Sequence, residues 1–307
     1  MRRSSFIGTN LLVAALAITP VVVWDSGRAQ GHTVAAPAAA TTFHEASTPK
    51  AAPASYDLSY LQMIGHRGGN DWAPENTLAG LTHSFQIGAR AVEFDVHFTK
   101  DQVPIVMHDD TLNRTTTCKG AVESYTYAQL RGCDSAHGAP VPNIYEALAV
   151  VARSHGSVYV HVKQADNDAQ ADAIVAAMNR YGLNDGHTAT TIADQTAFLD
   201  RLTKAGSKRC GLIFSNPKYW TAKYPVLIPF NTPITRALVA RAQRAGHFVV
   251  AVQDRPISVL AVPGLGLNGY MANKLTDALH KLTGPHPAAQ RPASRRATAS
   301  KAGTAGA

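Results

Sequence analysis

The chain has 307 residues, of which 45% are hydrophobic and 16% charged, and its formal net charge is +8. This balance excludes a highly charged disordered chain and a multi-span membrane protein, and the length allows one large domain or two ordinary ones. The positive charge is concentrated at the ends, since residues 1–30 carry +2 and residues 285–307 carry +4. The middle is nearly neutral, so we expect no nucleic-acid partner.

Residues 1–29 have the pattern of a signal peptide. Arg2 and Arg3 precede an apolar stretch, Leu11–Trp24, that Pro20 interrupts, and small residues follow up to an expected cleavage near Ala29. A bilayer span needs roughly 20 apolar residues, so this stretch fits a cleaved signal better than the alternative, an uncleaved anchor. We therefore expect a secreted, extracellular protein with no stable membrane span.

Two further segments have a composition that does not support a packed core. Residues 30–55 are rich in Ala, Thr, Pro and Ser and predict a flexible linker. Residues 284–307 predict a disordered basic tail that could contact anionic surfaces weakly. The folded part is then 56–283, a length natural for a single α/β barrel.

Short apolar runs alternate with helix-like stretches through this folded part. Eight runs predict strands: Leu61–Gly65, Ala91–Val96, Val158–Val162, Thr188–Ile192, Arg209–Phe214, Val226–Phe230, Phe248–Val252 and Gly269–Ala272. Helices are predicted near Thr77–Ile87, Asn143–Arg153, Asp168–Tyr181, Asp194–Ala205, Thr235–Ala245 and Lys274–Lys281. Strand followed by connection, eight times, predicts a single-domain (β/α)8 TIM barrel. An insertion after the second strand, about 109–142, is long enough to indicate a functional loop.

The chain contains three cysteines, and export would permit disulfides. Cys118 and Cys133 lie 15 residues apart in one polar stretch, where a disulfide would stabilise the fold by roughly 3 kcal/mol. Cys210 lies in an apolar run and is expected to be a buried free thiol.

Polar residues stand at the ends of several predicted strands, where barrel enzymes carry their active groups. His66 and Arg67 follow the first strand directly. In the second strand, Glu93 and Asp95 share one face because strand side chains alternate. Two carboxylates about 7 Å apart inside a barrel mouth would repel each other unless a cation lies between them. This pair therefore predicts a divalent-cation site.

Two later strand ends complete this polar set. His108 ends an apolar run, and His161 and Lys163 share one face of another strand. Two histidines as base and acid, with a cation, Arg and Lys to neutralise charge, suit attack on a phosphodiester. A lone strand-end histidine is often structural, however, and Glu93 could instead pair with Arg90 at the surface.

The runs IGHRGGNDWAPENTLAG and AVEFDVHFTKDQVPIVMHDDTLNRTT resemble the amino-terminal signature of the glycerophosphodiester phosphodiesterases. The resemblance implies a (β/α)8 barrel in which His66 and His108 are the acid–base pair and Arg67 binds phosphate. It implies that Glu93 and Asp95 bind a divalent cation, usually Ca²⁺ or Mg²⁺. The loop from Cys118 to Cys133 would shape the pocket for the glycerol moiety.

Four further residues complete the comparison with the family, some of them with alternatives or departures. Glu75 is a site residue by resemblance, or it orders its loop and caps the next helix, and Asn76 is interpreted as a helix N-cap. Lys163 keeps an electrostatic role toward the phosphate. His161 stands where the family has a third acidic ligand; it could still bind metal, but it suits Mn²⁺ or Zn²⁺ better than Ca²⁺ or Mg²⁺. The later stretches VVAVQD and NGYMANKL also depart from the family pattern.

The sequence thus predicts a secreted, metal-dependent phosphodiesterase that converts glycerophosphodiesters to sn-glycerol 3-phosphate and an alcohol. His66 is expected to be the base and His108 the acid, with roles that exchange between half-reactions. One alternative is a phospholipase D-like enzyme acting on lysophospholipids or sphingomyelin, which needs an apolar entrance that the sequence does not reveal. The other is a non-catalytic ligand-binding protein on the same barrel.

Overall fold

The structure, a computed structural model, describes residues 59–135, 138–253 and 258–283. The predicted signal peptide (1–29), the linker (30–55) and the basic tail (284–307) lie outside the described residues and stay predictions. Within the described part, no helix is long and apolar enough to cross a membrane.

The described strands form one closed sheet. Eight are parallel, and the sheet closes because the first strand pairs with both the second and the last. The predicted (β/α)8 barrel is therefore confirmed, with one short extra strand, β3, added antiparallel to β2 at its rim. The strands are β1 (Gln62–Gly65), β2 (Ala91–Phe98), β3 (Pro104–Val106), β4 (Ser157–Val162), β5 (Ala189–Ala193), β6 (Cys210–Phe214), β7 (Val226–Pro229), β8 (Phe248–Val252) and β9 (Gly269–Ala272).

Helices occupy all six predicted stretches, and two single-turn helices are added. The eight α-helices of the described residues are α1 (Leu78–Gln86), α2 (Tyr127–Leu130), α3 (Ile144–Arg153), α4 (Asp168–Arg180), α5 (Thr196–Lys204), α6 (Arg236–Arg244), α7 (Val262–Leu265) and α8 (Leu275–Thr283). The interpretation of Asn76 as the N-cap of α1 is wrong. Thr77 is the N-cap, because its side chain accepts a hydrogen bond from the backbone N–H of Gly80.

The period-two pattern of the strands sorts the core into two layers. Val92, Phe94 and Val96 of β2 point outward into the layer between sheet and helices. The barrel interior holds a second apolar cluster: Ile64, Ala91, Tyr159, Ile192, Val226, Ile228, Val250, Val252 and Met271. The inward positions near the carboxyl end of β2 carry acids instead, which places charged groups at the barrel mouth.

The insertion between β3 and α3 has a small core of its own. Leu112, Val122 and Leu130 belong to one buried cluster with Ile105 of the rim strand β3. A disulfide joins Cys118 to Cys133, whose Cα atoms are 5.3 Å apart, and Cys210 is a buried free thiol on β6. The insertion is thus a packed element that continues directly from His108.

Candidate active site

The turn after β1 delivers the first two site residues. Arg67 and Gly68 both adopt positive φ, 52° and 78°. A Cβ on Gly68 would lie 2.9 Å from the backbone nitrogen of Leu81, so only glycine lets the turn approach α1 this closely. The Ser84 hydroxyl donates to the carbonyl of Gly68 at 2.8 Å and fixes the turn. His66 and Arg67 therefore face the cavity at the barrel mouth.

Two buried carboxylates lie beneath this turn. Glu93 Oε2 accepts from the backbone N–H of Arg67 at 2.8 Å, and Asp95 Oδ2 accepts from Asn76 Nδ2 at 2.9 Å. Both acids have no exposed surface. Their second oxygens, Glu93 Oε1 and Asp95 Oδ1, are buried and make no hydrogen bond to any residue that the structure describes.

Basic groups surround the carboxylate of Asp95. His161 Nδ1 lies 3.0 Å and Lys163 Nζ 3.3 Å from Asp95 Oδ1, and Arg67 Nε lies 3.6 Å from Oδ2. Burial alone would raise the pKa of Asp95, but His161 and Lys163 outweigh it and hold that pKa well below its usual range. Burial would lower the pKa of His161, yet the carboxylates of Asp95 and Glu93 raise it overall.

Glu93, Asp95 and His161 together fit a single metal ion. One ligand atom from each lies within 4.8 Å of the others, and all three residues are buried. The two carboxylate oxygens without hydrogen bonds are the atoms nearest His161 Nδ1, at 3.0 and 3.6 Å. A cation would satisfy these buried carboxylate oxygens, which make no hydrogen bond to any described residue.

A chain of ion pairs holds His108 at the rim of the barrel mouth. His108 Nδ1 lies 2.8 Å from Asp109 Oδ1, and Arg114 bridges Asp109 and Glu75 with contacts of 2.7 to 2.9 Å. Glu75 also pairs with Arg67 at 3.1 Å. Glu75 therefore orders the loop through arginines and does not cap the helix.

These contacts set the protonation of the rim groups. Burial lowers the pKa of His108 and outweighs the raising effect of Asp95 and Asp109. The hydrogen bond from Arg114 holds the pKa of Asp109 far below its usual range. Burial raises the pKa of Glu75, but Arg114 and Arg67 reverse that, so it is lowered overall. The rim therefore presents a neutral imidazole held by a charged carboxylate.

His66 has a partner that sequence reasoning missed. Its Nδ1 lies 2.5 Å from Oδ1 of Asn273, which follows β9. Because Asn273 Nδ2 donates to the carbonyl of Gln253, the amide oxygen faces the ring and His66 Nδ1 is the donor. Asp109 and Arg114 were also missed as site residues, although the motif resemblance included both.

The cavity at the barrel mouth has a volume of about 540 Å³ and two contrasting sides. One side carries the predicted polar residues, among them His66, His108 and Lys163. The other side is largely apolar, with Ile192, Ile213, Phe214, Tyr219, Phe230, Val252 and Met271. The sequence revealed no such apolar surface, because its residues come from several separate strands and their loops.

The chain belongs to the Glycerophosphoryl diester phosphodiesterase family, whose model matches residues 66–252. It is 37% identical over 112 residues to mouse Glycerophosphodiester phosphodiesterase 1, a match covering 34% of each chain. It is 36% identical over 110 residues to the Glycerophosphodiester phosphodiesterase of Bacillus altitudinis, covering 33% of this chain and 45% of that protein. The matches thus span between a third and a half of these curated relatives.

Solved structures support the fold. An Oleispira antarctica phosphodiesterase in complex with the product sn-glycerol-3-phosphate superposes with a TM-score of 0.63 at 22% identity, over 71% of this chain and 96% of that one. A Thermotoga maritima glycerophosphodiester phosphodiesterase gives a TM-score of 0.58 at 17% identity, over 70% and 95%. At these identities the likeness extends to the barrel alone.

Proposed function

We propose that this protein is a secreted, metal-dependent phosphodiesterase that hydrolyses glycerophosphodiesters to sn-glycerol 3-phosphate and an alcohol. One observation carries the proposal: a single cavity is lined by two histidines, a buried acid and two cations, namely His66, His108, Glu93, Arg67 and Lys163. Family membership and the fold shared with a product-bound phosphodiesterase support the substrate class. Secretion is supported by the sequence of residues 1–29, and the exported protein should begin near residue 30.

Positive groups in the cavity bind and orient the phosphate. The guanidinium of Arg67 and the ammonium of Lys163 both line it and would contact non-bridging oxygens. A divalent cation held by Glu93, Asp95 and His161 would neutralise negative charge that develops on a phosphate oxygen. Positive charge on the polar side of the cavity would thus hold the phosphate of the substrate.

The histidines move the protons, and their contacts favour roles opposite to the sequence expectation. Neutral His108 donates Nδ1–H to Asp109, which leaves the Nε2 lone pair free to act as the base. His66 donates Nδ1–H to Asn273, which leaves Nε2, 3.6 Å from Glu93 Oε2, as the nitrogen that would deliver a proton to the leaving alcohol.

The chemical step exchanges one oxygen on phosphorus for another. His108 Nε2 takes the proton of the attacking hydroxyl, from water or the glycerol, as its oxygen bonds to phosphorus. The bond from phosphorus to the alcohol oxygen breaks, and His66 Nε2 gives that oxygen its proton. If a glycerol hydroxyl attacks first, a cyclic phosphodiester forms. Water then attacks its phosphorus as His66 Nε2 takes the water proton, the bond from phosphorus to that glycerol oxygen breaks, and His108 Nε2 returns its proton to the oxygen.

The direct test is release of sn-glycerol 3-phosphate from glycerophosphocholine, glycerophosphoethanolamine and glycerophosphoinositol, with chelator and with each divalent cation restored. We expect turnover that chelation abolishes and one class of cation restores. If the protein binds cations but turns over none of these diesters or the lipid substrates below, the non-catalytic binding protein becomes the better account.

A second candidate function is favoured by the apolar side of the cavity. Ile213, Tyr219 and Phe230 are partly exposed there and could contact an acyl chain, as a phospholipase D-like enzyme on lysophospholipids would require. Turnover of lysophosphatidylcholine and glycerophosphocholine should be compared in the protein and in Phe230→Ser. A preference for the lipid that the substitution reverses would support this candidate, and equal losses on both substrates would count against it.

A further inference from the structure

We propose that the cation site of this protein prefers a divalent transition metal of the Zn²⁺, Co²⁺ and Mn²⁺ type over Ca²⁺ and Mg²⁺, and that His161 sets this preference. The inference deepens the proposed function by naming the class of metal. It rests on the cation site of that proposed function and can be tested by metal binding without substrate.

The three candidate ligands, Glu93, Asp95 and His161, are held by two paired strands. Asp95 and His161 are direct partners in the register of the parallel strands β2 and β4, and Glu93 lies two residues before Asp95. All three side chains point into the barrel, with exposures of 0%, 0% and 8% for Glu93, Asp95 and His161. The strand register and the burial therefore place the imidazole beside the two acids.

The imidazole of His161 is oriented with one nitrogen toward the two acids. Its Nδ1 faces the two carboxylate oxygens that lack hydrogen bonds, while its Nε2 is buried without a hydrogen bond to any described residue. A neutral ring that carries its proton on Nε2 presents the Nδ1 lone pair to the cation. Nitrogen thus supplies one of the three protein ligands.

The site around Asp95 offers few oxygen ligands to a cation. Ca²⁺ takes six to eight oxygens, and Mg²⁺ requires a near-octahedral oxygen shell. The other groups around Asp95 are donors, namely Asn76 Nδ2, Arg67 Nε and Lys163 Nζ, and donors do not ligate metals. The amide oxygen of Asn76 is already occupied by the backbone N–H of Asp95. Water would have to supply most of a hard cation's shell.

Two cationic side chains reduce the net negative charge of the ligand set. Arg67 and Lys163 lie within 3.6 Å of Asp95 and offset part of the negative charge that would attract a hard cation. A transition metal depends less on net charge because it also bonds to imidazole nitrogen. Two carboxylates with one imidazole is a donor set that suits Zn²⁺, Co²⁺ or Mn²⁺.

The test is calorimetric titration of chelator-treated full-length protein with zinc, manganese, magnesium and calcium chlorides, together with the visible absorption of the cobalt form. We expect one equivalent of zinc or manganese to bind at least about 100-fold more tightly than magnesium or calcium. His161→Glu should weaken zinc binding at least tenfold and strengthen calcium or magnesium, and should alter the cobalt spectrum. His161→Gln, which adds no charge, should weaken zinc binding without the gain for calcium.

A matched control is His187→Glu, which makes the same change at an exposed histidine before β5, at the opposite end of the barrel. It should leave stoichiometry and preference unchanged. Three results would each overturn the proposal: calcium or magnesium binding within tenfold of zinc, an unchanged preference in both His161 variants, or no cation bound at all. Selective binding without diester turnover would instead leave this proposal standing and contradict the proposed function.

Discussion

At the scale of single residues, the site depends on how each imidazole is held. Burial of the His108 ring lowers its pKa, and its carboxylate partner, Asp109, raises that pKa. Arg114 keeps that partner charged and anchors it to Glu75. The result is an imidazole with a fixed tautomer and a lowered pKa, which is the state that the proposed base needs near neutral pH.

Substitution of Asp109 tests this arrangement. In Asp109→Asn, we expect kcat to fall by about 100-fold or more, because the ring loses the partner that orients it. The acid limb of kcat/KM reports protonation of the base, so activity is lost as pH falls through the pKa of His108, which burial lowers from its ordinary value. Without Asp109 that pKa falls further, and the limb should move to lower pH. Asp110→Asn, one residue along and exposed, is the control that should change neither value.

Asn76 gives a residue-scale prediction about stability. It is buried, adopts φ of 59° and donates to Asp95 Oδ2. Asn76→Ala loses that bond and strains the backbone, so we expect about 3 kcal/mol of lost unfolding free energy. Asn76→Gly relieves the strain and should cost about 1 kcal/mol less. Urea unfolding of both variants measures the difference, and equal losses would contradict the role of the positive φ.

The position of a residue was predictable from sequence where it follows from strand alternation. It was not predictable where it depends on a contact with a residue that is distant in the chain. The alternation places Glu93 and Asp95 on the inward face, and the barrel buries them there. Asn76 has a plausible capping position in sequence, but its actual partner is 19 residues away. Asn273 lies 207 residues from His66, and no local pattern relates them.

At the scale of elements, the insertion after β3 is the one that bears on the site. It carries Asp109 and Arg114, and its small core packs against the rim strand through Ile105. The disulfide closes its loop across 15 residues. The insertion thus holds His108 from outside the barrel, through Asp109 and Arg114.

Removal of the disulfide should weaken this element. We expect Cys118→Ser/Cys133→Ser to lose roughly 3 kcal/mol of unfolding free energy, because the unfolded chain gains loop entropy. The comparison is urea unfolding of the variant and of the parent with and without reductant. Reductant should lower the stability of the parent alone, and a parent insensitive to it would contradict a disulfide that stabilises this loop.

The elements were also the most predictable level of the structure. Each of the eight barrel strands is an apolar run between turn residues, and each was predicted within a few residues. The rim strand β3 has only three residues and became part of the sheet only through pairing with β2. Its strand character depends on a partner, which a local reading of sequence does not include.

At the scale of the whole molecule, barrel closure creates the site. β1 pairs with β2 on one side and β9 on the other, which brings Asn273 beside His66. The same closure gathers the apolar side of the cavity from β5 to β9 and the loops that follow them. The polar side was visible in sequence because its residues lie at the ends of successive strands, whereas the apolar side emerged only in three dimensions.

The domain boundaries predicted from composition can be tested on the whole chain. A chain limited to residues 56–283 should unfold within about 2 °C of residues 30–307, because one or two degrees corresponds to less than about 1 kcal/mol for a domain of this size. Differential scanning calorimetry of both gives the answer. A loss of more than 5 °C would mean that the linker or the tail contributes to the folded unit.

The most direct measurement of the central claim is the rate of sn-glycerol 3-phosphate release from the best diester by His66→Ala, His108→Ala and the double variant. If the two imidazoles act on one phosphate, each single substitution should lower kcat by at least about 1,000-fold and the double should lower it little further. His187→Ala, far from the cavity, should retain full activity, and circular dichroism should match in all four. Substantial activity in either single variant, or losses that multiply in the double, would contradict the account.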